Sequence, residues 1–63
     1  MKPRPKVLVV DDEPDYLKIA ARIAAKAGCA VVTAPTAADG LRAAAAERPD
    51  LVLLDVMMPG LGG

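Results

Sequence analysis

The 63-residue sequence predicts an α/β domain built on a parallel β-sheet. Two short apolar runs, residues 7–10 and 51–54, have the composition of strands that are buried on both faces, and each is directly followed by an aspartate. Between them lie two segments with helical character and a third, weaker apolar run. The resulting order is β-α-β-α-β with short connections, which implies parallel strands and right-handed crossovers.

Composition narrows the class of protein. Hydrophobic residues make up 54% of the chain, which argues against disorder, and 63 residues suffice for at most one small domain. The formal net charge of zero argues against direct binding to nucleic acid and against binding to an anionic membrane surface. A single cysteine, Cys29, excludes an internal disulfide, and no apolar run approaches the length of a membrane span. We therefore expect a cytoplasmic globular domain.

The first half of the chain predicts a strand, a helix and a second strand. Residues 1–5 form an exposed lead-in with two prolines, and the domain begins at Lys6. Pro14 suits the first turn of a helix over residues 14–27, and Gly28 suits its end. A second, weaker strand is predicted at residues 29–33. The helix has an apolar face that can pack on the sheet, formed by Leu17, Ile19, Ala20, Ala21, Ile23 and Ala24. It also has a basic stripe, formed by Lys18, Arg22 and Lys26.

The second half predicts another helix and the third strand. Thr36 and Asp39 have the spacing of a capping box, and an alanine-rich helix follows to about residue 48. Gly40 inside that helix costs about 1 kcal/mol relative to alanine. Pro49 ends the helix, the third strand occupies residues 51–54, and residues 59–63 form a loop.

Acidic residues at the strand ends predict a metal site. If the first strand lies between the other two, the helices cover opposite faces, and Asp11, Asp12 and Asp55 meet at the topological switch point. Three neighbouring carboxylates repel one another unless a cation joins them. Oxygen ligands in a chain without histidine favour Mg²⁺ over zinc.

Other interpretations of these acids stay open. The aspartates could simply cap the first helix and end a strand, in a structural module without a ligand. An aspartate-based phosphatase is a further alternative, but Asp55 lacks the Asp-x-Asp arrangement common in such enzymes. Cys29 lies at the wrong end of its strand to join the acids, so we expect it to pack in the interior.

Residues 7–14 (VLVVDDEP) and 48–60 (RPDLVLLDVMMPG) strongly resemble the receiver domain of bacterial two-component response regulators. The resemblance extends over nearly the whole chain from Lys6. It implies a flavodoxin-like parallel sheet with strand order 2-1-3 for these three strands. The chain then corresponds to the N-terminal half of such a domain, a partial receiver at residues 6–63 that stops before the third helix.

The resemblance also implies roles for individual residues. Asp55 becomes the phosphoacceptor, which takes a phosphoryl group from a histidine kinase or a histidine phosphotransfer protein. Asp12 and Asp55 become direct Mg²⁺ ligands together with the backbone carbonyl of Met57, and Asp11 acts through a bound water. The first helix contributes to the docking face for the phosphodonor. The module is not expected to be an enzyme in its own right, beyond assisting its own phosphorylation.

Several features of complete receivers have no counterpart in these 63 residues. The chain supplies three of five strands, and it lacks the lysine and the aromatic residue of the fifth strand and the switch Ser or Thr of the fourth. Phosphorylation and switching are therefore expected to be impaired. The third strand, apolar on both faces, is expected to pair with a second copy in a homodimer or to promote aggregation. Self-association through this strand defines an alternative function, that of a non-signalling structural or interaction fragment.

Overall fold

The computed structural model describes residues 4–54, which form three strands and two helices. In chain order the elements are β1 (Lys6–Val10), α1 (Pro14–Lys26), β2 (Ala30–Ala34), α2 (Ala37–Glu47) and β3 (Leu51–Leu54). Each predicted strand and helix is present, with boundaries that differ by about one residue from those expected. The predicted loop at residues 59–63, together with Asp55 and Met57, lies outside the described residues.

The three strands form one parallel sheet in the order β2-β1-β3, which confirms the predicted topology. Lys6 pairs with Ala30 and Val10 with Ala34 along one side of β1. Along its other side, Val7 pairs with Leu51 and Val10 with Leu54. The central position of β1 explains why it is the most buried element of the described chain.

The two helices cover opposite faces of this sheet, as predicted. Val7, Leu51 and Leu53 line a groove together with residues of α1. Leu8, Val10, Val52 and Leu54 line a second groove together with residues of α2. Because side chains alternate between the two faces of a strand, odd positions of β1 and β3 face α1 and even positions face α2.

The core is small and lies between the sheet and α2. Leu8, Val10 and Ala34 are nearly inaccessible, and Val32, Ala43 and Ala44 pack against them. Thr36 begins α2 as its N-cap, since its Oγ1 accepts a hydrogen bond from the Asp39 backbone N–H at 3.0 Å. The capping arrangement predicted from the spacing of these two residues is therefore present on the threonine side.

Helix α1 packs on the sheet mainly through small side chains. Every residue of α1 is half-buried or exposed, and Ala20, Ala21 and Ala24 are among the half-buried ones. Ile19 and Ile23 are 53% and 64% exposed, so their expected burial against the sheet is wrong. Ile23 lines the open groove between α1 and β3 beside Ala20 and Ala24, without being buried there.

None of the helices in the described part of the chain combines the length and the apolar character needed to cross a membrane.

Candidate functional site

The carboxyl end of β1 carries the acidic residues of the predicted site. Asp11 follows β1 directly, is half-buried, and donates its backbone N–H to the carbonyl oxygen of Ala34 at 3.1 Å. This bond continues the β1–β2 ladder one residue beyond the strand. Asp12 and Glu13 follow and are exposed. The sheet therefore holds the backbone of Asp11 firmly and presents Asp12 to solvent.

A tight acidic turn connects β1 to α1. The Oδ1 atom of Asp11 accepts a hydrogen bond from the Glu13 backbone N–H at 2.9 Å, an interaction typical of Asx turns. Glu13 is the N-cap of α1, and its carbonyl accepts the first helical bond, from Leu17 at 3.1 Å. Pro14 occupies the first turn, where its missing N–H leaves no donor unpaired. The acidic residues thus stand at the positive end of the α1 dipole.

The register of β3 bears directly on the predicted site. Val10 and Leu54 are partners across the β1–β3 ladder, and the residues that follow them in sequence are Asp11 and Asp55. Asp55 and Met57 lie outside the described residues, so their membership of the site stays a prediction. Within residues 4–54 no three Asp, Glu or Cys side chains come together in a way that could hold a metal ion.

The donors that the structure does describe fit a hard divalent cation. Asp11 and Asp12 provide carboxylate oxygens at a partly exposed edge of the sheet, and the sequence contains no histidine. Oxygen donors with access for water are what Mg²⁺ requires, because it retains several waters and binds through one or two carboxylates. Two carboxylates do not complete a site, and further oxygen ligands would have to come from the chain after Leu54.

A groove of about 430 Å³ opens beside these acids, between α1 and β3. Tyr16, Leu53 and Leu54 line it together with Asp11, and Tyr16 is 61% exposed. Our sequence reasoning missed Tyr16. The feature that could have pointed to Tyr16 is that it is the only aromatic residue in the sequence and lies shortly after the acidic turn.

A second polar cluster, also missed from the sequence, lies at the opposite end of the sheet. The Lys6 backbone N–H donates to Asp50 Oδ2 at 2.8 Å, and the Asp50 backbone N–H donates to the Lys6 carbonyl at 2.8 Å. Lys6 Nζ contacts Glu47 Oε1 at 3.0 Å. Cys29, half-buried, lines an apolar groove near this end, in agreement with a packing role.

Comparisons with known proteins identify relatives of this chain. The family model "Response regulator receiver domain" matches residues 7–63. Transcriptional regulatory protein PrrA of Mycobacterium bovis is 46% identical over 59 residues, which is 94% of this chain and 25% of PrrA. Alkaline phosphatase synthesis transcriptional regulatory protein PhoP of Bacillus subtilis is 41% identical over 58 residues, 92% of this chain and 24% of PhoP. No solved structure gives a significant match.

The relatives also show how much of a longer protein this chain represents. Protein PilH of Pseudomonas aeruginosa is 40% identical over 58 residues, which cover 92% of this chain and 48% of PilH. The chain therefore spans between a quarter and about half of the length of these relatives. Because the family model covers all but the first six residues, the chain belongs to the response regulator receiver domain family.

Proposed function

We propose that this chain is the phosphoacceptor part of a two-component phosphorelay and that Asp55 takes the phosphoryl group. The observation that carries the proposal is the parallel register of β3 on β1, which pairs Val10 with Leu54 and makes Asp11 and Asp55 the next residues of neighbouring strands. Carboxyl ends of parallel strands at a switch point are where α/β sheets bind their ligands.

The proposed reaction is a phosphoryl transfer between two side chains. A carboxylate oxygen of Asp55 attacks the phosphorus of a phosphohistidine, and the new O–P bond forms as the P–N bond breaks. The electron pair of the broken bond stays on the imidazole nitrogen, which takes up a proton as it leaves. The product is an acyl phosphate on Asp55 and a neutral histidine on the donor.

Asp12, Asp55 and the backbone carbonyl of Met57 are the proposed Mg²⁺ ligands, with Asp11 acting through water. Bound Mg²⁺ would supply charge neutralisation for the phosphoryl oxygens. The chain's own contribution is to hold the carboxylates at one edge of the sheet. The Asp11 backbone bond to Ala34 and the Asp11–Glu13 turn provide that rigidity on the β1 side.

The proposed phosphodonor is a histidine kinase or a histidine phosphotransfer protein, which docks on α1. The exposed isoleucines Ile19 and Ile23 form apolar contact surface on this helix. Lys18, Arg22 and Lys26, also exposed, supply a basic stripe beside it. The balanced charge of the chain favours a protein partner over nucleic acid, and we place the module in the cytoplasm, where its phosphodonor acts.

The metal site can be tested by NMR titration with Mg²⁺. We expect weak, saturable binding that moves the amide signals of residues 11–13 and of the residues around Asp55. Asp12→Asn should weaken the binding, because it removes one carboxylate charge. Shifts spread evenly over the chain, or none at millimolar Mg²⁺, would contradict the proposed site.

The phosphoacceptor can be tested with acetyl phosphate and intact-mass analysis. A polypeptide of these 63 residues should gain one phosphoryl group slowly. Its four lysines all lie at or before residue 26, so no lysine from a later strand is present to pair with the phosphoryl oxygens. Asp55→Asn should abolish the gain. Labelling that survives in Asp55→Asn would place the acceptor at another residue.

The second candidate function is an interaction fragment that associates through β3. The supporting observation is that all four residues of β3, although apolar, are exposed, by 41% to 53%. Such a fragment would self-associate and would bind neither Mg²⁺ nor phosphate analogues at the acidic edge. The Mg²⁺ titration therefore distinguishes the two candidates.

A further inference from the structure

Asp50 closes a hydrogen-bonded ring with Lys6 immediately before β3 begins. The Asp50 N–H donates to the Lys6 carbonyl, and the Lys6 N–H donates to Asp50 Oδ2, both at 2.8 Å. In a parallel ladder the second bond would normally go to a main-chain carbonyl of the neighbouring strand. The carboxylate of Asp50 takes the place of that carbonyl, directly before the Val7–Leu51 pair.

The sequence of β3 does not define its own register on β1. Side chains alternate between the two faces, so a shift by one residue normally moves apolar side chains from the core to the solvent. In β3 all four residues are apolar, and all four are exposed to a similar degree. A shift by one residue would exchange one apolar side chain for another at three of the four paired positions and would bring in a flanking aspartate only at the fourth, so burial of the apolar residues sets the register only weakly.

The register nevertheless matters for the proposed chemistry. One step along a strand displaces a residue by about 3.3 Å and turns its side chain to the other face. Mg²⁺ accepts ligands at about 2.0–2.1 Å in a nearly ideal octahedron, so a ligand displaced by one step is lost. A specific anchor at the start of β3 would prevent this.

We propose that Asp50 is a positioning residue that sets the register of β3 on β1 and thereby the level of the phosphoacceptor. The link to Asp55 rests on the proposed function, whereas the effect on register does not. Two features support the assignment. The Asp50–Lys6 ring uses both backbone groups of Lys6, and it joins residues 44 positions apart at the point where the β1–β3 ladder begins.

Lys6 offers a matched control, because its side chain and its backbone do different things. Its Nζ contacts Glu47 Oε1 at 3.0 Å and the Glu47 carbonyl at 3.3 Å, which fastens the end of α2. Its backbone alone forms the ring with Asp50. Lys6→Met therefore removes a neighbouring contact of the same cluster and leaves the ring intact.

The test compares Asp50→Ala, Asp50→Asn and Lys6→Met with the unmodified chain. The first readout is the set of interstrand backbone NOEs that report the Val7–Leu51 and Val10–Leu54 pairs; the second is Mg²⁺ affinity. We expect Asp50→Ala to lose or redistribute these NOEs and to bind Mg²⁺ about 10- to 100-fold more weakly, as when outer-shell support of a metal site is removed. Asp50→Asn, which keeps an acceptor oxygen, and Lys6→Met should retain both.

Each result bears on the proposal separately from the proposed function. An Asp50→Ala chain with the original NOEs would overturn it. If Asp50→Ala does not fold, Asp50→Asn provides the test, because it keeps an acceptor oxygen at the same position. Loss of the Val7–Leu51 and Val10–Leu54 NOEs in that variant would contradict the proposed role of this acceptor, and their retention would support it. A register change in Asp50→Ala, in a chain whose unmodified form binds no Mg²⁺, would support the anchor and refute the proposed function.

Discussion

At the scale of single residues, Gly40 explains how α2 approaches the sheet. The glycine lies inside α2 and is buried against β1. A Cβ atom at this position would lie 2.8 Å from Val10 Cγ2 and 3.1 Å from Val10 Cγ1. Valine is stiff about χ1, and Val10 is buried in the central strand, so its methyl groups have little room to move. Gly40 therefore lowers the helix propensity of α2 but allows α2 to pack closely on β1.

We expect Gly40→Ala to destabilise the domain despite the better helix propensity of alanine. Overpacking costs about 1–3 kcal/mol, and the propensity gain of about 1 kcal/mol offsets only part of it, so the free energy of unfolding should fall by up to about 2 kcal/mol. Urea denaturation followed by circular dichroism measures the change.

The control for this prediction is a double-mutant cycle with Val10→Ala. Once the valine methyl groups are absent, Gly40→Ala should raise the free energy of unfolding by about 1 kcal/mol, through helix propensity alone. Equal effects of Gly40→Ala in both backgrounds would show that Val10 does not limit the approach of α2.

At the scale of the secondary-structure elements, the two helices begin in different ways. Thr36 caps α2 through its side chain, whereas the Glu13 side chain makes no capping bond to α1. The start of α1 depends instead on Pro14, on the nearby acidic charges and on the Asp11–Glu13 turn. The start of α2 therefore depends on a single hydroxyl group, whereas the start of α1 depends on several residues together.

Thr36→Ala should lower the free energy of unfolding by about 1 kcal/mol, because the Asp39 N–H loses its acceptor. Thermal denaturation is a suitable measurement. Thr36→Ser, which retains the hydroxyl, is the matched variant and should remain close to the unmodified chain. If serine proved as damaging as alanine, the methyl group of Thr36 and not its hydroxyl would be the stabilising feature.

At the scale of the whole molecule, the sheet is asymmetric. On one side of β1, strand β2 is followed by Pro35, which suits an edge. On the other side, β3 is an edge strand of the described sheet with four consecutive exposed apolar residues and no lysine or proline. Edges of this kind pair readily with other strands.

A polypeptide of these 63 residues is therefore expected to associate through β3, most simply as a two-fold homodimer. Leu53→Lys places a charge in that strand and should weaken association at least about tenfold, equivalent to about 1.4 kcal/mol. Sedimentation equilibrium over a wide range of concentrations measures the effect.

Ile19→Lys is the matched control for association, since it adds the same charge at an exposed apolar position that belongs to α1 and not to the β3 edge. It should leave the dissociation constant unchanged. A chain that is folded, cooperative and monomeric at high concentration would contradict the expected role of the β3 edge, as would equal effects of the two lysine variants.

Much of the fold could be predicted from local patterns in the sequence. Apolar runs at residues 7–10 and 51–54, the Thr36–Asp39 spacing and the prolines and glycines at element ends each report on neighbours a few residues away. Local signals of this kind led to the correct number, type and order of elements. They also placed Asp11 and Asp12 at the carboxyl end of a strand, which is where the structure has them.

Other predictions depended on distant residues, and there the sequence was a weaker guide. The expected burial of Ile19 and Ile23 was wrong, because helical periodicity shows which residues share a face but not how much of that face other parts of the chain cover. The groove beside Tyr16 was missed for a related reason, since its walls come from α1, β1 and β3.

The sequence by itself determined the α/β class, the five elements and the acidic character of one end of β1, because periodicity, capping and strand composition act over short distances. Only the tertiary structure decided that Gly40 makes room for Val10 and that Asp50 bonds to the backbone of Lys6. These features join residues about 30 to 44 positions apart in the chain, and no local pattern encodes which distant atom will complete a packing contact or a hydrogen bond.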